Sequence, residues 1–290
     1  MSSELWTIKR AFDWTRDYLT EKGDYQARLS TEWLLAHACE LSRLEVYTQF
    51  DRPLSPEERN ILREAVRQRA EGQPLQYIVG STGFRHLDLE VKPGVLIPRP
   101  ETEVLVDLAL QSLPAVQEGK MLQALDLCTG SGCVGLSLAY ERPDTKVIAT
   151  DISDGALELA EKNTRTHKLE DRFITQKSDL FDGLTKSESF DLIVSNPPYI
   201  PTRGMEELPR EVKDFEPALA LHGGKDGLDL ARKILQQASF YLADNASVIL
   251  ELDVRNAQQA AEFAVELNTY TSVNIAADLN GQERFVLARK

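Results

Sequence analysis

Apolar side chains between residues 4 and 71 recur every three or four positions, which is the period of an amphipathic α-helix. Within this stretch, Leu54-Ser55-Pro56-Glu57-Glu58 carries a helix-start signal, because a serine precedes a proline at the first helical position and acids follow. All three tryptophans lie in the first 33 residues. The pattern predicts a separate N-terminal bundle of about four helices over residues 1–72, with the tryptophans in its core.

Over residues 73–97 the pattern changes to short runs of β type. The runs 76–80 and 84–91 stand on either side of Ser81-Thr82-Gly83, which predicts a β-hairpin linker between two domains. A helix is then predicted to begin near Glu101.

From residue 122 onward, short apolar runs alternate with segments of helical period. The predicted strands are 122–127, 146–150, 173–174, 190–196, 247–252, 272–276 and 284–288. The predicted helices are 132–140, one through 157–160, 228–241 and 257–267. Such alternation predicts an α/β domain over residues 98–290, with a doubly wound parallel sheet of seven strands. The closing pair of strands, joined by a short turn, predicts one antiparallel edge strand.

A glycine-rich loop joins the first of these strands to its helix. Gly130, Gly132 and Gly135 have the spacing of the dinucleotide fingerprint, and Asp151 follows at the end of the next strand. Several cofactors use these features, since glycines admit the ligand to the backbone and the acid holds ribose hydroxyls. A nicotinamide-dependent oxidoreductase therefore remains an alternative, as does a non-catalytic binding scaffold.

The motif Asn196-Pro197-Pro198-Tyr199 ends a strand of buried type. The two prolines make the backbone rigid and leave carbonyls without partners. The turn that this motif forms, called the Asn-Pro-Pro-Tyr corner below, can therefore bind a planar –NH2 group. Asp126, just before the glycine loop, would repel a pyrophosphate but attract a cationic sulfonium. The pattern thus favours S-adenosyl-L-methionine on the loop, with an amide or amine held beside it at the carboxyl edge of the sheet.

The composition narrows the class of protein further. The net charge of −13 argues against a surface that grips nucleic acid by its phosphates. No apolar stretch has the length of a membrane span, and the start of the chain lacks a signal-peptide layout. Three scattered cysteines predict neither disulfides nor a metal site. We expect a cytoplasmic protein, without stable nucleic-acid or membrane binding, that acts as a monomer.

Several motifs together resemble one known family. They are Asn196-Pro197-Pro198-Tyr199, the loop 126–132, the segment 95–103 around Pro98-Arg99-Pro100-Glu101-Thr102, the segment 73–80 and the closing segment 278–285. In these motifs the chain resembles the glutamine methyltransferases that modify peptide chain release factors. The Asn-Pro-Pro-Tyr motif alone is shared with adenine amino-group DNA methyltransferases, and a related enzyme methylates a ribosomal protein; both remain alternatives.

The resemblance implies a class I S-adenosylmethionine-dependent methyltransferase domain, which is Rossmann-like. It also implies that the substrate is the glutamine of the Gly-Gly-Gln motif in class 1 release factors, with the N-terminal domain as a recognition arm. The implied cofactor-binding residues are Cys128, Thr129, Gly130, Ser131, Gly132, Asp151 at the ribose, Ile152 as an apolar floor, Asp179 and Leu180 at the adenine, and Asn196. The implied substrate-binding residues are Leu96, Asn196, Pro197, Pro198 and Tyr199, of which Asn196, Pro197 and Tyr199 are catalytic.

In the mechanism that follows, the Asn196 side-chain oxygen and the Pro197 carbonyl each accept one N–H of the target amide, and Tyr199 packs on the amide plane. Positive charge that develops on the nitrogen is then stabilised without a strong base.

Four further positions carry specific expectations. Cys128 stands where the family has glycine, and Leu180 stands where many members have tryptophan. Arg99, Glu101 and Thr102 fit either a helix cap or a functional role. Glu251, at the end of a later strand, is expected to be solvated at the sheet edge.

Overall fold

The computed structural model describes residues 5–117 and 119–290, which form two compact units. The first unit is the described part of Met1–Ser81 together with Arg210–Phe215, and the second is Thr82–Pro209 with Glu216–Lys290.

The first unit is helical. Its helices before the hairpin are α1 (Ile8–Glu21), α2 (Ala27–Cys39), α3 (Arg43–Thr48), α4 (Pro56–Ala70) and α5 (Leu75–Val79). Ser42 and Ser55 form capping boxes with Glu45 and Glu58, in which each serine side chain accepts from the third-residue N–H and each glutamate accepts in return. The helix start predicted at Ser55-Pro56 is therefore confirmed.

The remaining elements follow in chain order. They are β1 (Ser81–Phe84), β2 (Leu87–Glu90), α6 (Thr102–Ser112), β3 (Leu122–Leu127), α7 (Cys133–Glu141), β4 (Thr145–Asp151), α8 (Asp154–His167), β5 (Phe173–Lys177), β6 (Phe190–Ser195), a 3-10 helix (Thr202–Glu207), α9 (Arg210–Phe215), α10 (Ala218–Leu221), α11 (Asp229–Tyr241), β7 (Leu242–Glu251), α12 (Ala257–Glu266), β8 (Ser272–Ala277) and β9 (Glu283–Arg289).

The core of the first unit is aliphatic more than aromatic. Ile8, Leu19 and Leu34 are fully buried there. Trp14, in contrast, is 50% exposed and stacks on Tyr18 at 5.1 Å between ring centroids. The prediction that all the tryptophans lie in the core was wrong, because the ring of Trp14 covers the surface of α1 instead of filling the space between helices.

Buried Arg69 ties α9 to the first unit. Its guanidinium donates to Asp24 at 2.8 and 3.1 Å and to the Gln73 carbonyl at 3.0 Å. It also pairs with Glu211 of α9 at 2.5 Å. Since a buried arginine is stable only when its donors are satisfied, these partners explain why a segment distant in sequence belongs to this unit.

The segment before the hairpin is helical, where the sequence predicted a strand over 76–80 and a turn at Ser81-Thr82-Gly83. That prediction was wrong. Pro74 precedes α5, and Gly80 ends it in the left-handed region at φ 82°. The hairpin lies later and turns between β1 and β2 at Arg85-His86.

The second unit contains a seven-stranded sheet in the order β5-β4-β3-β6-β7-β9-β8. All neighbours pair in parallel except β9, which is antiparallel to both β7 and β8. The predicted doubly wound seven-stranded sheet is confirmed. The reversed strand, however, lies inside the sheet and not at its edge, because the apolar Phe285, Val286 and Ala288 of β9 are buried whereas β8 is largely exposed.

The sheet order brings the two chemical motifs together. Strands β3 and β6 are neighbours, and Leu127 lies opposite Ser195 at their carboxyl ends. The glycine loop after β3 and the Asn-Pro-Pro-Tyr motif after β6 therefore leave the same edge of the sheet side by side, where ligands bind in folds of this type.

Candidate active site

A pocket opens at the carboxyl ends of β3, β4 and β6. The residues of the sequence-based prediction that line it are Leu96, Cys128, Thr129, Gly130, Ser131, Asp151, Ile152, Asp179, Leu180, Asn196 and Pro198. Gly132, Pro197 and Tyr199 are not part of its wall. Asp126, Arg99, Thr102 and Lys233 also line it.

Backbone hydrogen bonds hold the glycine loop against the neighbouring strand. The Thr129 N–H donates to the Thr150 carbonyl at 3.0 Å, and the Gly130 N–H donates to the Asp151 carboxylate at 3.0 Å. Gly130 and Gly132 have φ of 57° and 84°, a region that glycine enters without a Cβ penalty. These two bonds fix the loop against the end of β4.

Gly135, on the first turn of α7, marks the closest approach of that helix to the sheet. A Cβ at this position would lie 2.7 Å from Phe173 and 2.9 Å from both Asp126 and Val147. Only glycine fits this space, and the contact sets the position of the loop that precedes the helix.

Asp126 lies beneath the loop and stabilises it. Its Oδ2 accepts from the Thr129 hydroxyl at 2.6 Å and from the Gly135 N–H at 3.0 Å. Burial raises the pKa of this carboxyl to about 7, despite these two hydrogen bonds, and the charge of Asp151 adds to the rise. A cation in the pocket would favour the ionised form.

Asp151 connects the loop to the start of α8. One oxygen accepts from Gly130 and the other from the Ser153 N–H at 2.9 Å. Burial raises its pKa as well. A carboxylate can accept about four hydrogen bonds, so both oxygens retain capacity for ligand hydroxyls.

The Ser131 hydroxyl is an unused polar group in the pocket wall. The side chain is 2% exposed, and within the described ranges its oxygen has no hydrogen-bond partner of normal geometry. Buried hydroxyls are normally bonded, so this atom is suited to a polar ligand group. Together with the carboxyl groups of Asp126 and Asp151 and the open glycine backbone, these polar groups fit a nucleoside that carries a positive charge.

Two non-glycine residues of the pocket have left-handed backbones, Cys128 at φ 59° and Leu180 at φ 50°. The Ser178 hydroxyl donates to the Leu180 carbonyl at 2.7 Å and so holds the second of them. Burial, with the charges of nearby aspartates, raises the pKa of the Cys128 thiol far above its usual value. This cysteine is therefore not a nucleophile at neutral pH.

We predict that Cys128→Gly is more stable than Cys128→Ala by about 1 kcal/mol, because both variants lose the thiol but only glycine relieves the left-handed strain. Urea denaturation of the two variants measures this difference. Equal midpoints would show that the loop stores no strain at this residue.

Asn196 is held by a hydrogen bond to the start of α6. Its Nδ2 donates to the Thr102 hydroxyl at 3.1 Å, which leaves the side-chain oxygen for other partners. Helix α6 begins at Thr102, and Glu101 at the cap position makes no side-chain capping bond. The Thr102 side chain thus bonds to a residue outside its own helix.

Tyr199, which the sequence was expected to place against the target amide, does not line the pocket. Its ring packs against the core cluster around Leu250, and its carbonyl accepts from the Asn256 side chain at 3.4 Å. The backbone of this turn is tightly enclosed, since a Cβ on Gly223 would lie 2.6 Å from the Pro198 carbonyl oxygen. The Asn-Pro-Pro-Tyr corner is therefore fixed from both sides.

Arg99 is oriented by a buried acid that the sequence did not reveal. Its guanidinium pairs with Glu216 at 2.5 Å, and the same carboxylate accepts from the Ile97 N–H at 3.4 Å. Buried Asn163 was also missed; it donates to the Ser131 carbonyl at 2.9 Å and bonds both backbone groups of Glu90. Glu216 and Asn163 belong to no motif, so no sequence signal pointed to them.

Glu251 corrects an expectation. The sequence suggested solvation at the sheet edge, yet the residue is 0% exposed. Strand β9 and the start of α6 lie against this end of β7 and exclude water. Burial raises the pKa of its carboxyl to about 7.

Within the described ranges, no group of three or more His, Cys, Asp or Glu side chains has the arrangement of a metal site. No helix in the same ranges is both long and apolar enough to cross a membrane.

Two family models match the chain. The PrmC N-terminal domain matches residues 10–80, and the methyltransferase small domain matches residues 102–208.

Proteins named release factor glutamine methyltransferase are similar to nearly the whole of this chain. The protein from Geobacter sulfurreducens is 43% identical over 286 residues, which cover 99% of this chain and 98% of that protein. The one from Rhodopirellula baltica is 39% identical and covers 98% of this chain and 97% of that protein.

Solved structures agree in fold. A methyltransferase from Pyrococcus furiosus matches with a TM-score of 0.51 at 23% identity, over 70% of this chain and 88% of that one. The hMettl16 catalytic domain matches with a TM-score of 0.52 at 16% identity, over 80% of each chain.

Proposed function

Since this chain belongs to the family of release factor glutamine methyltransferases, we propose how its own residues carry out that reaction. The protein is an S-adenosylmethionine-dependent protein-glutamine methyltransferase, and its substrate is a release factor. The methyl group goes to the side-chain amide nitrogen of the glutamine in the Gly-Gly-Gln motif of class 1 release factors. The single observation that supports this chemistry best is that Asn196 and the glycine loop line one pocket.

The pocket residues hold the cofactor. Cys128, Thr129, Gly130 and Ser131 surround its methionine part, with the Ser131 hydroxyl as an available polar contact, and Gly132 completes the loop behind this wall. Asp151 binds the ribose hydroxyls, Asp179 and Leu180 lie at the adenine, and Ile152 supplies an apolar surface. When bound, S-adenosylmethionine supplies a methyl group made electrophilic by its sulfonium. Asp126, Asp151 and Asp179 give the wall a negative character that matches this positive charge.

The rigid corner holds the target amide. An amide nitrogen is a weak nucleophile because its lone pair is delocalised. Bonding of this nitrogen to the methyl group would break the bond from methyl to sulfur and leave a neutral thioether, and the nitrogen, positive at that stage, would then lose one proton to solvent. The Asn196 side-chain oxygen and the Pro197 carbonyl each accept one N–H of the target, so negative dipoles face the developing charge. Pro198 and Leu96 enclose the amide and exclude water. Tyr199 anchors the corner, since its ring packs in the core.

The parts of the chain have separate roles in this proposal. Residues 1–72 form the domain that recognises other parts of the release factor, 73–97 form the linker and 98–290 form the catalytic domain. The enzyme acts as a monomer on a protein in the cytoplasm and does not bind nucleic acid stably, in keeping with the net charge of −13.

The function is tested with labelled S-adenosylmethionine and a purified release factor. Label should enter the release factor and should be lost when its Gly-Gly-Gln glutamine is replaced. Calorimetric titration should detect S-adenosylmethionine and not NAD. Label on DNA or on ribosomal protein alone would contradict the proposal, as would binding of NAD in its place.

We predict that cofactor affinity falls as pH falls through about 7. The pKa of Asp126 is raised to about 7, so at pH 6 about nine tenths of this carboxyl is protonated and cannot attract a cation. The Kd at pH 6 should be about five- to tenfold weaker than at pH 8, by calorimetry. Asp126→Asn should show a flatter dependence, while an unchanged slope in this variant would assign the effect to another group.

A further inference from the structure

Glu251, at the carboxyl end of β7, is a buried acid that the mechanism described above does not use. The residue is 0% exposed, and within the described ranges neither carboxylate oxygen has a hydrogen bond of normal geometry. A buried carboxylate is unfavourable in a protein interior unless a nearby positive charge or hydrogen-bond donor stabilises its charge. Its surroundings therefore indicate what it does.

Charged and titratable groups approach this carboxyl from every neighbouring element. They are Arg284 on β9, Arg99 and Glu101 before α6, Tyr199 after β6 and Cys133 on α7. Both arginines are already paired, Arg284 with Asp278 at 2.8 Å and Arg99 with Glu216 at 2.5 Å. Within the described ranges, neither forms an ion pair with Glu251, although the charge of each lowers the pKa of its carboxyl.

Thr102 lies between Glu251 and the active site. Its side chain is buried, and its hydroxyl accepts from Asn196 Nδ2 at 3.1 Å. Thr102 also lowers the pKa of Glu251, although that contact is longer or more bent than a normal hydrogen bond. Thr102 and Asn196 line the pocket, whereas Glu251 does not. Glu251 can thus affect a substrate only through its neighbours.

The hydrogen-bonding chemistry of Glu251, Thr102 and Asn196 determines how the Asn196 side chain is oriented. Above its pKa of about 7, Glu251 is a carboxylate, which attracts the hydrogen of a nearby hydroxyl and cannot donate one. A Thr102 hydroxyl whose hydrogen is directed at this charge presents its oxygen to Asn196, which donates to it at 3.1 Å. The Asn196 nitrogen is then turned to Thr102, and its oxygen is directed to the remaining side. We propose that Glu251 is a positioning residue which, through Thr102, holds the Asn196 side chain with its oxygen toward the target amide.

This inference rests on the proposed role of Asn196 as an acceptor. An asparagine side chain has nearly the same shape after its oxygen and nitrogen exchange places, so shape alone selects neither orientation. In the wrong orientation the Asn196 N–H groups would face the N–H groups of the substrate, and catalysis would lose an acceptor. A charged acid behind Thr102 removes this ambiguity.

The proposed action of Glu251 through Thr102 on Asn196 is called the relay below. Four variants test it: Glu251→Gln, Thr102→Val, Thr102→Ser and, as a matched control, Glu266→Gln at the exposed end of α12. A glutamine can donate to Thr102 and so permits the reversed orientation. We expect Glu251→Gln and Thr102→Val each to lower kcat about tenfold, the effect of one hydrogen bond in the transition state. The Kd for S-adenosylmethionine should be unchanged. Thr102→Ser, which keeps the hydroxyl, should recover most of the kcat that Thr102→Val loses, and Glu266→Gln should retain the wild-type kcat.

The double variant Glu251→Gln, Thr102→Val separates a relay from two unrelated effects. In a relay the second change adds little, so kcat should remain about tenfold below wild type; independent effects would multiply to about a hundredfold. A hundredfold loss, a wild-type kcat for Glu251→Gln, or a loss in Thr102→Ser equal to that in Thr102→Val would each overturn the proposal. Should Glu251→Gln not fold, the two threonine variants still decide, since both retain the buried acid. If the wild-type protein failed to methylate a release factor, the proposed function would fail instead.

Discussion

Replacing Asn196 with alanine should lower kcat for release factor methylation about 100- to 1,000-fold. The variant removes an acceptor that faces the charge developing on the amide nitrogen, and loss of one such preorganised group has effects of this size. Affinity for S-adenosylmethionine should change little, because we assign most of the cofactor contacts to the glycine loop, Asp151 and Ser131. Single-turnover kinetics with labelled cofactor, together with calorimetry, measure the two quantities separately.

A matched control for this variant is Asn274→Ala on the exposed edge strand β8, which should have wild-type kcat and affinity. An Asn196→Ala protein that lost affinity and retained kcat would show that Asn196 binds the cofactor and does not serve the reaction. In that case the role assigned to the Asn-Pro-Pro-Tyr corner would be wrong.

Replacing Gly135 with alanine should lower the free energy of unfolding by about 1–3 kcal/mol. The new Cβ would lie 2.7 Å from Phe173 and 2.9 Å from Asp126 and Val147, so α7 must move away from the sheet. That movement would break the Gly135 N–H bond to Asp126 and displace the glycine loop. Cofactor affinity should fall together with stability, as urea denaturation and calorimetry can show.

Gly155→Ala is the opposite case and serves as the control. Gly155 lies in the first turn of α8, where a Cβ would meet only the Ser153 hydroxyl at 3.8 Å. Alanine there should raise the free energy of unfolding by about 0.5–1 kcal/mol, because glycine loses more backbone freedom on folding. Equal effects of the two substitutions would contradict the close packing assigned to Gly135.

Strands in the middle of the sheet were predictable from sequence because they are buried on both faces. The run 122–127 is apolar except at Gln123 and Asp126, and its predicted limits coincide with those of β3. The run that ends at Asn196 is similar, since prolines stop the strand at a defined residue. Continuous apolar runs bounded by turn residues leave few other structures for the chain.

The errors arise where tertiary contacts outweigh the local pattern. Segment 75–79 has β-branched and aromatic residues, yet it forms α5 between Pro74 and Gly80. Strand β8 was placed correctly, but pairing is a long-range property, and sequence alone did not reveal that β9 lies between it and β7.

Sequence also predicted only part of the candidate site. Its motif residues were predictable, since glycine spacing, a strand-end acid and a proline-locked asparagine each have a physical cause. Glu251 was not, because a glutamate at a strand end is usually solvated and only the fold reveals that it is buried behind Thr102. Arg99 was visible in the sequence, but its partner Glu216 lies more than a hundred positions away.

The most direct measurement is tandem mass spectrometry of a release factor after incubation with this protein and S-adenosylmethionine. We predict one added methyl group on the side-chain nitrogen of the Gly-Gly-Gln glutamine, and none after incubation with Asn196→Ala for the same short time. A methyl group on any other residue, or an equal yield with the variant, would contradict the assignment of Asn196 as the acceptor that holds the glutamine amide.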